Sequence, residues 1–170
     1  MTKRRIRIIL ILITSCTAIL IVSATLGREL YEGRGQSLAS FGLIHFSGYL
    51  FFLLMPVELA YIYYLSYFSD WQMIVVALST ATAGQVIDYY IGLSMSTAIV
   101  NNLVGEKRIL NAEKHILKYG NLTIFIFNLF PLSSSVISVA AGMLKFRFKN
   151  FIVYSSVGLI IKYLVLTLVF

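Results

Sequence analysis

Residues 38–68 read LASFGLIHFSGYLFFLLMPVELAYIYYLSYF, and this stretch decides the architecture. It is long for one membrane-crossing helix and short for two helices with a turn. A helix rises 1.5 Å per residue, and a bilayer's hydrocarbon core is about 30 Å thick. Pro56 stands near the middle of the run, and Glu58 follows it. A proline lacks the backbone N–H that a helix interior uses, so the helix breaks there. The spacing predicts a helix–break–helix hairpin that enters the membrane and returns on the same side. Broken backbone at that depth requires protein or a water-filled cavity around it.

The rest of the chain has the same solvent preference. Of its 170 residues, 59% are hydrophobic and only 12% are charged, with mean hydropathy +0.86. A soluble domain carries about 25% charged residues. This composition excludes a cytosolic enzyme, a disordered chain and a disulfide-built secreted domain. Cys16 is the only cysteine, so it has no internal disulfide partner. A net charge of +7 suggests nucleic acid in a soluble protein, but here its placement reports membrane topology, and no nucleic-acid partner is expected.

Working outward, Ile8–Leu26 is uncharged and follows Lys3, Arg4, Arg5 and Arg7, so it reads as an N-terminal anchor. A cleaved signal peptide ending near Val22-Ser23-Ala24 is the alternative. Trp71–Met95 reads as a full span with Trp71 at the interface and Asp88 inside. In Asn101–Tyr119, Leu103, Leu110 and Leu117 recur every seventh residue beside Ile109 and Ile116, which predicts an amphipathic helix on the membrane surface. Leu122–Leu144 is a second broken run, with Pro131 near its middle and Ser133-Ser134-Ser135 after it. Phe151–Phe170 is a last span, and it contains Lys162.

The basic residues select the topology. With both broken runs re-entrant, one side holds Lys3, Arg4, Arg5, Arg7, Lys107, Arg108, Lys114, Lys118, Lys145, Arg147 and Lys149, eleven of the 14 Lys and Arg. The positive-inside rule makes that side cytoplasmic, N-terminus included. The expected protein is integral to a prokaryotic plasma (inner) membrane, with three crossings and two re-entrant hairpins. Two tilted full crossings per hairpin preserve the same parity.

The fold expectation is therefore all-α and integral to the membrane. Residues 1–36 form the anchor and a polar loop, and 37–170 form the membrane domain. Within that domain, 38–95 and 120–170 are two units of a Pro-broken hairpin followed by a span, joined by the amphipathic linker 96–119. Entering from opposite sides, the units form an inverted repeat, an arrangement used by transporters. The plainer alternative is two proline-kinked helices in a bundle.

Three ionisable residues fall inside the apolar segments, and such residues usually face a cavity or a partner. Glu58, Asp88 and Lys162 are the expected substrate or proton pathway. Lys162 is too deep to snorkel, so pairing with Glu58 or Asp88 is expected. Asp88 has Lys145 and Arg147 as further possible partners. Pro56, Asn128, Pro131, Ser133, Ser134 and Ser135 mark the hairpin breaks, where amides, hydroxyls and freed N–H groups can hold a headgroup or satisfy the broken backbone. His45 is expected to pack and His115 to be solvated. Tyr61, Tyr63, Tyr64 and Tyr67 are expected to form an interfacial belt. No metal-ligand spacing, P-loop or nucleophile triad appears, so neither a cofactor nor an enzyme is expected.

The residues at the breaks resemble the DedA family, also called the VTT or SNARE-associated Golgi domain. Its P-x-P-x-E motif stands here as Leu54-Met55-Pro56-Val57-Glu58. Its glycine–tyrosine–glycine motif stands as Gly84, Tyr89 and Gly92. Its third motif is matched by Tyr119-Gly120, Phe127-Asn128-Leu129-Phe130-Pro131 and Ala141-Gly142-Met143, then Phe151, Tyr154 and Gly158. The chain departs from the family pattern at five positions, the first being Leu54 in place of the first proline. Gln85 stands for Asp, Asn128 and Ser134 stand for two Arg, and Lys162 stands for Trp. The resemblance implies a lipid translocase or scramblase, with polyprenyl phosphate or phospholipid as substrate and a proton as coupling ion. The absent arginines weigh against a phosphate headgroup unless Lys162 supplies the charge. A small-solute or ion secondary transporter and a non-transporting membrane-biogenesis partner are the alternatives. Membrane lipids and a second copy of the chain are the expected partners.

Overall fold

The computed structural model describes residues 36–50, 57–94, 106–130 and 134–170. The N-terminal anchor, Pro56, Pro131 and Ser133 lie outside the described residues.

Among those residues the fold is all-α. In chain order the helices are α1 (Leu38–Tyr49), α2 (Val57–Leu65), α3 (Asp70–Ser94), α4 (Glu106–Tyr119), α5 (Asn121–Leu129), α6 (Ser134–Met143) and α7 (Phe148–Val169). Helices α3 and α7 have 25 and 22 residues, about 37 and 33 Å, and both are long and apolar enough to cross a membrane. Helices α1, α2, α5 and α6 have 12, 9, 9 and 10 residues, each about 18 Å or less and too short to cross.

The helix ends follow local chemistry. Ser37 caps α1 by accepting from the Ser40 N–H at 3.0 Å. Asp70 sits in the first turn of α3, where the helix dipole favours a carboxylate. Gly120 ends α4 at φ +55°, a backbone region that glycine enters without strain. Helix α6 closes with Lys145 at φ +51°, where Phe146 N–H bonds Ala141 O at 2.9 Å and Lys145 N–H bonds Gly142 O at 3.0 Å. That pairing is a Schellman motif, with a lysine in the position glycine prefers.

Two apolar cores lie along α3. Met73, Ala77 and Ala81 recur every fourth residue and pack with Phe41, Tyr61 and Tyr64, and with Leu159 and Tyr163 of α7. Near the other end of α3, Tyr89 packs with Ile137 and Ala141 of α6 and Phe151 of α7. The start of one long helix therefore meets the end of the other, and α3 and α7 run antiparallel. Helix α1 packs on α3, and α5 packs on α7.

One sequence expectation, the tyrosine belt, is corrected here, and the expected amphipathic helix is found with its apolar residues divided between core and surface. Tyr61 and Tyr64 are buried, whereas Tyr63 and Tyr67 are exposed. The four tyrosines lie on different faces of one helix and its following turn, and only two of them face outward. On α4 the core-facing stripe is Ile109, Ala112 and Ile116, which packs on α6, while Leu110 and Leu117 are exposed. The two heptad series differ by about 100° around the helix, and the isoleucine series turns inward.

Candidate functional site

Lys162 organises the first polar cluster. It lies deep in α7 and its side chain is 6% exposed. Its Nζ donates to Glu58 Oε1 at 2.9 Å and to the Tyr49 hydroxyl at 2.7 Å. The ammonium also lies 5.4 and 5.1 Å from the ring centroids of Tyr49 and Tyr163, within cation–π range. Glu58 stands in the first turn of α2, where the helix dipole favours its charge, and is 19% exposed. Of the two pairings open to Lys162 from sequence, the structure contains Lys162–Glu58.

The cluster extends beyond the ion pair. Tyr49 and Tyr163 hydroxyls are 3.0 Å apart, and the Tyr163 hydroxyl is 2.7 Å from His45 Nε2. His45 Nδ1 is 2.8 Å from the Thr80 hydroxyl. His45 is fully buried with both ring nitrogens bonded, so its expected packing role is incomplete. Helical spacing was the available signal, because His45 and Tyr49 are four residues apart on one face of α1. Tyr49, Tyr163 and Thr80 were missed for a common reason, since each reads as an ordinary residue of an apolar run. His115 is exposed, as expected, with Nδ1 2.7 Å from Asn111 O.

A second polar cluster surrounds Asp88. This carboxyl is fully buried, yet neither oxygen has a hydrogen-bond partner among the described residues. None of the basic partners expected from sequence pairs with it. Lys162 is held by Glu58 and Tyr49, while Lys145 and Arg147 lie exposed beyond the end of α6. One turn earlier, Gln85 donates to Asn128 Oδ1, and Gln85 Oε1 is likewise unbonded among the described residues. Asn128 in turn donates to Ile124 O at 2.8 Å and Ser155 Oγ at 3.2 Å. The family pattern has Asp and Arg where Gln85 and Asn128 stand, so two departures from that pattern touch each other.

Ser135 joins the clusters, because its hydroxyl donates to the Tyr49 carbonyl at 2.6 Å. Ser134 is buried, and its carbonyl accepts from Ser138 Oγ at 2.7 Å. Gly92 and Gly142 bring the backbones of α3 and α6 together. A Cβ on Gly142 would collide with the Tyr89 carbonyl, and one on Gly92 with the Val139 carbonyl. Gly84 lies against Tyr49, and Gly158 against Phe125 and Asn128, with similarly little room.

Comparison with known proteins agrees with the motif reading. The VTT domain family matches residues 41–170, so the chain belongs to this family, the DedA family. Two curated relatives, each called an alkaline phosphatase-like protein, come from Lactococcus lactis. The one from subsp. cremoris is 33% identical over 104 residues, covering 55% of this chain and 49% of its own length. The one from subsp. lactis is 32% identical with the same coverage. The chain thus spans about half the length of these relatives. No solved structure gives a significant match.

Proposed function

We propose that this member of the VTT-domain family is an integral membrane transporter that moves a lipid between leaflets, with proton coupling. The observation that carries the reading is the Lys162–Glu58 pair. It is a nearly buried cation held by a carboxylate that keeps some exposure, between the two short helices α1 and α2 and the long helix α7. Charges placed this way in apolar segments usually serve a pathway. An anionic headgroup competes with Glu58 for Lys162, while protonation of Glu58 frees Lys162 to receive it.

In this reading the breaks at Pro56 and Pro131 turn re-entrant hairpins within the bilayer, and the two units form an inverted repeat. The lengths of α1, α2, α5 and α6 support that geometry. Asn128, Ser133, Ser134 and Ser135 line the headgroup path, and the acyl tails stay in lipid. The N-terminus is cytoplasmic in a plasma membrane.

Reconstitution tests the proposal. A fluorescent phospholipid should equilibrate between leaflets faster in vesicles holding the protein than in empty ones, and Glu58→Gln should abolish the difference while the protein stays folded. Equal rates with and without protein would reject lipid movement. The competing reading, a cation or small-solute transporter, draws on the unbonded Asp88 carboxyl. Solute flux without lipid equilibration would favour it.

A further inference from the structure

The contacts from Glu58 to His45 form an unbroken series, and one self-consistent set of bond directions runs through it. The Thr80 hydroxyl has one hydrogen, and it donates to the Val76 carbonyl at 2.7 Å. With that hydrogen on Val76, Thr80 accepts from His45 Nδ1, 2.8 Å away, which assigns the ring proton to Nδ1. In the neutral ring Nε2 is then an acceptor, and the Tyr163 hydroxyl donates to it at 2.7 Å. Having spent its hydrogen, Tyr163 accepts from the Tyr49 hydroxyl at 3.0 Å. Tyr49 in turn accepts from Lys162 Nζ at 2.7 Å, which also donates to Glu58 at 2.9 Å. Each hydroxyl points away from Lys162 and toward His45.

We infer that these residues form a proton-conducting chain, with Glu58 as its mouth and His45 as its inner terminus. This deepens the transport reading above and rests on it, because it assigns the seat of the coupling proton. One concerted shift moves a hydrogen from Lys162 Nζ to Tyr49, from Tyr49 to Tyr163, and from Tyr163 to His45 Nε2. The ammonium becomes an amine, the imidazole becomes an imidazolium, and both tyrosines end as they began. A proton arriving at Glu58 from the aqueous side then passes to the amine, which restores the Lys162–Glu58 pair.

Burial and the Lys162 ammonium both disfavour charge on His45, so the imidazolium is a transient seat that fills only once Lys162 is neutral. Lys162 and His45 are alternative seats for one positive charge. The other titratable groups against His45 are Tyr49 on its own helix and Tyr163 from α7, while Glu58 of α2 reaches it only through Lys162 and the two tyrosines. Helix α3 contributes only the Thr80 hydroxyl, which is committed to Val76 and ends the chain. A structural network needs the same bonds but no route from Glu58 to His45. The discriminating property is therefore the dependence of the His45 proton on distant Glu58.

Nitrogen NMR on the full chain in lipid vesicles, with labelled histidine, reads this directly. Exposed His115 serves as an internal reference. Neutral His45 should carry its proton on Nδ1. After a step in the pH of the medium, the His45 proton should exchange at least tenfold more slowly in Glu58→Gln and in Tyr163→Phe than in wild type. His45→Gln, which keeps one donor and one acceptor, should assign the signal. If Tyr163→Phe does not fold, Glu58→Gln alone decides. A proton on Nε2, or exchange unchanged in a folded Glu58→Gln, overturns the chain. Phospholipid equilibration on the same vesicles separates the two proposals. Exchange that depends on Glu58 in vesicles that move no lipid removes lipid transport and keeps the chain. Lipid movement with Glu58-independent exchange removes the chain alone.

Discussion

Lys162 and Asp88 are both buried ionisable side chains on long helices, and the protein treats them in opposite ways. Lys162 has a carboxylate, a hydroxyl and two aromatic faces around it. Asp88 makes no hydrogen bond of normal geometry among the described residues, and the hydroxyl that comes near it, that of Ser135, donates to the Tyr49 carbonyl instead. Their packing differs too. Rings from α1, α2 and α7 surround the lysine, whereas near Asp88 the backbones of α3 and α6 meet through Gly92 and Gly142. A satisfied buried pair holds helices in place, but an unsatisfied buried carboxyl destabilises the fold that contains it.

The largest expected effect breaks the satisfied side. Glu58→Ala leaves Lys162 buried with only Tyr49, and losing one partner of a buried pair costs about 3–5 kcal/mol. Thermal unfolding in detergent should show the loss. The double variant Glu58→Gln with Lys162→Met should recover most of it, because no orphan charge remains. Lys162→Met that folds, expresses and transports normally would remove the pair from both structure and function.

The next effect tests the glycine contact on the other side. Gly142→Val places a side chain against the Tyr89 carbonyl, so α3 and α6 must separate. Overpacking of this kind costs about 1–3 kcal/mol. Wild-type melting would show that the contact beside Asp88 is loose, and the contrast in packing would fall.

Asp88 itself should respond in the opposite direction. Burial penalises any charge on Asp88, so Asp88→Asn, which cannot ionise and has equal size, should melt at or above the wild-type temperature. Transport lost from that stable variant would assign Asp88 to function. Destabilisation as large as that of Glu58→Ala would instead reveal a stabilising partner for the carboxylate.

The two sides were unequally legible in the sequence. Hydropathy located Trp71–Met95 and Phe151–Phe170, close to the observed Asp70–Ser94 and Phe148–Val169, because both helices are long and apolar. Lys162–Glu58 was visible as one of two pairings, since two deep opposite charges have few partners to choose from. The rest of that cluster was hidden because tyrosines and a histidine in apolar runs look like membrane residues. Only the approach of α7 to α1 brings Tyr163 to His45 and Tyr49. For Asp88 a salt bridge was one of two open readings, and none forms among the described residues. Nearby basic residues suggested a partner, but the turn after α6 leaves Lys145 and Arg147 exposed.

Lys145 allows a smaller test of the same contrast. From sequence it is a possible counter-charge for Asp88, yet in the structure it is the left-handed residue of a helix-ending turn. A left-handed residue with a Cβ is strained by about 1–2 kcal/mol, and glycine's added chain freedom returns about 0.5–1 kcal/mol of that. If Lys145 serves only the turn, Lys145→Gly should raise stability by up to about 1 kcal/mol. If its charge steadies Asp88 at a distance, the same substitution should lower stability, and the loss should vanish in an Asp88→Asn background. A double-mutant cycle on melting temperature separates the two, since a coupling near zero leaves Asp88 uncompensated by Lys145.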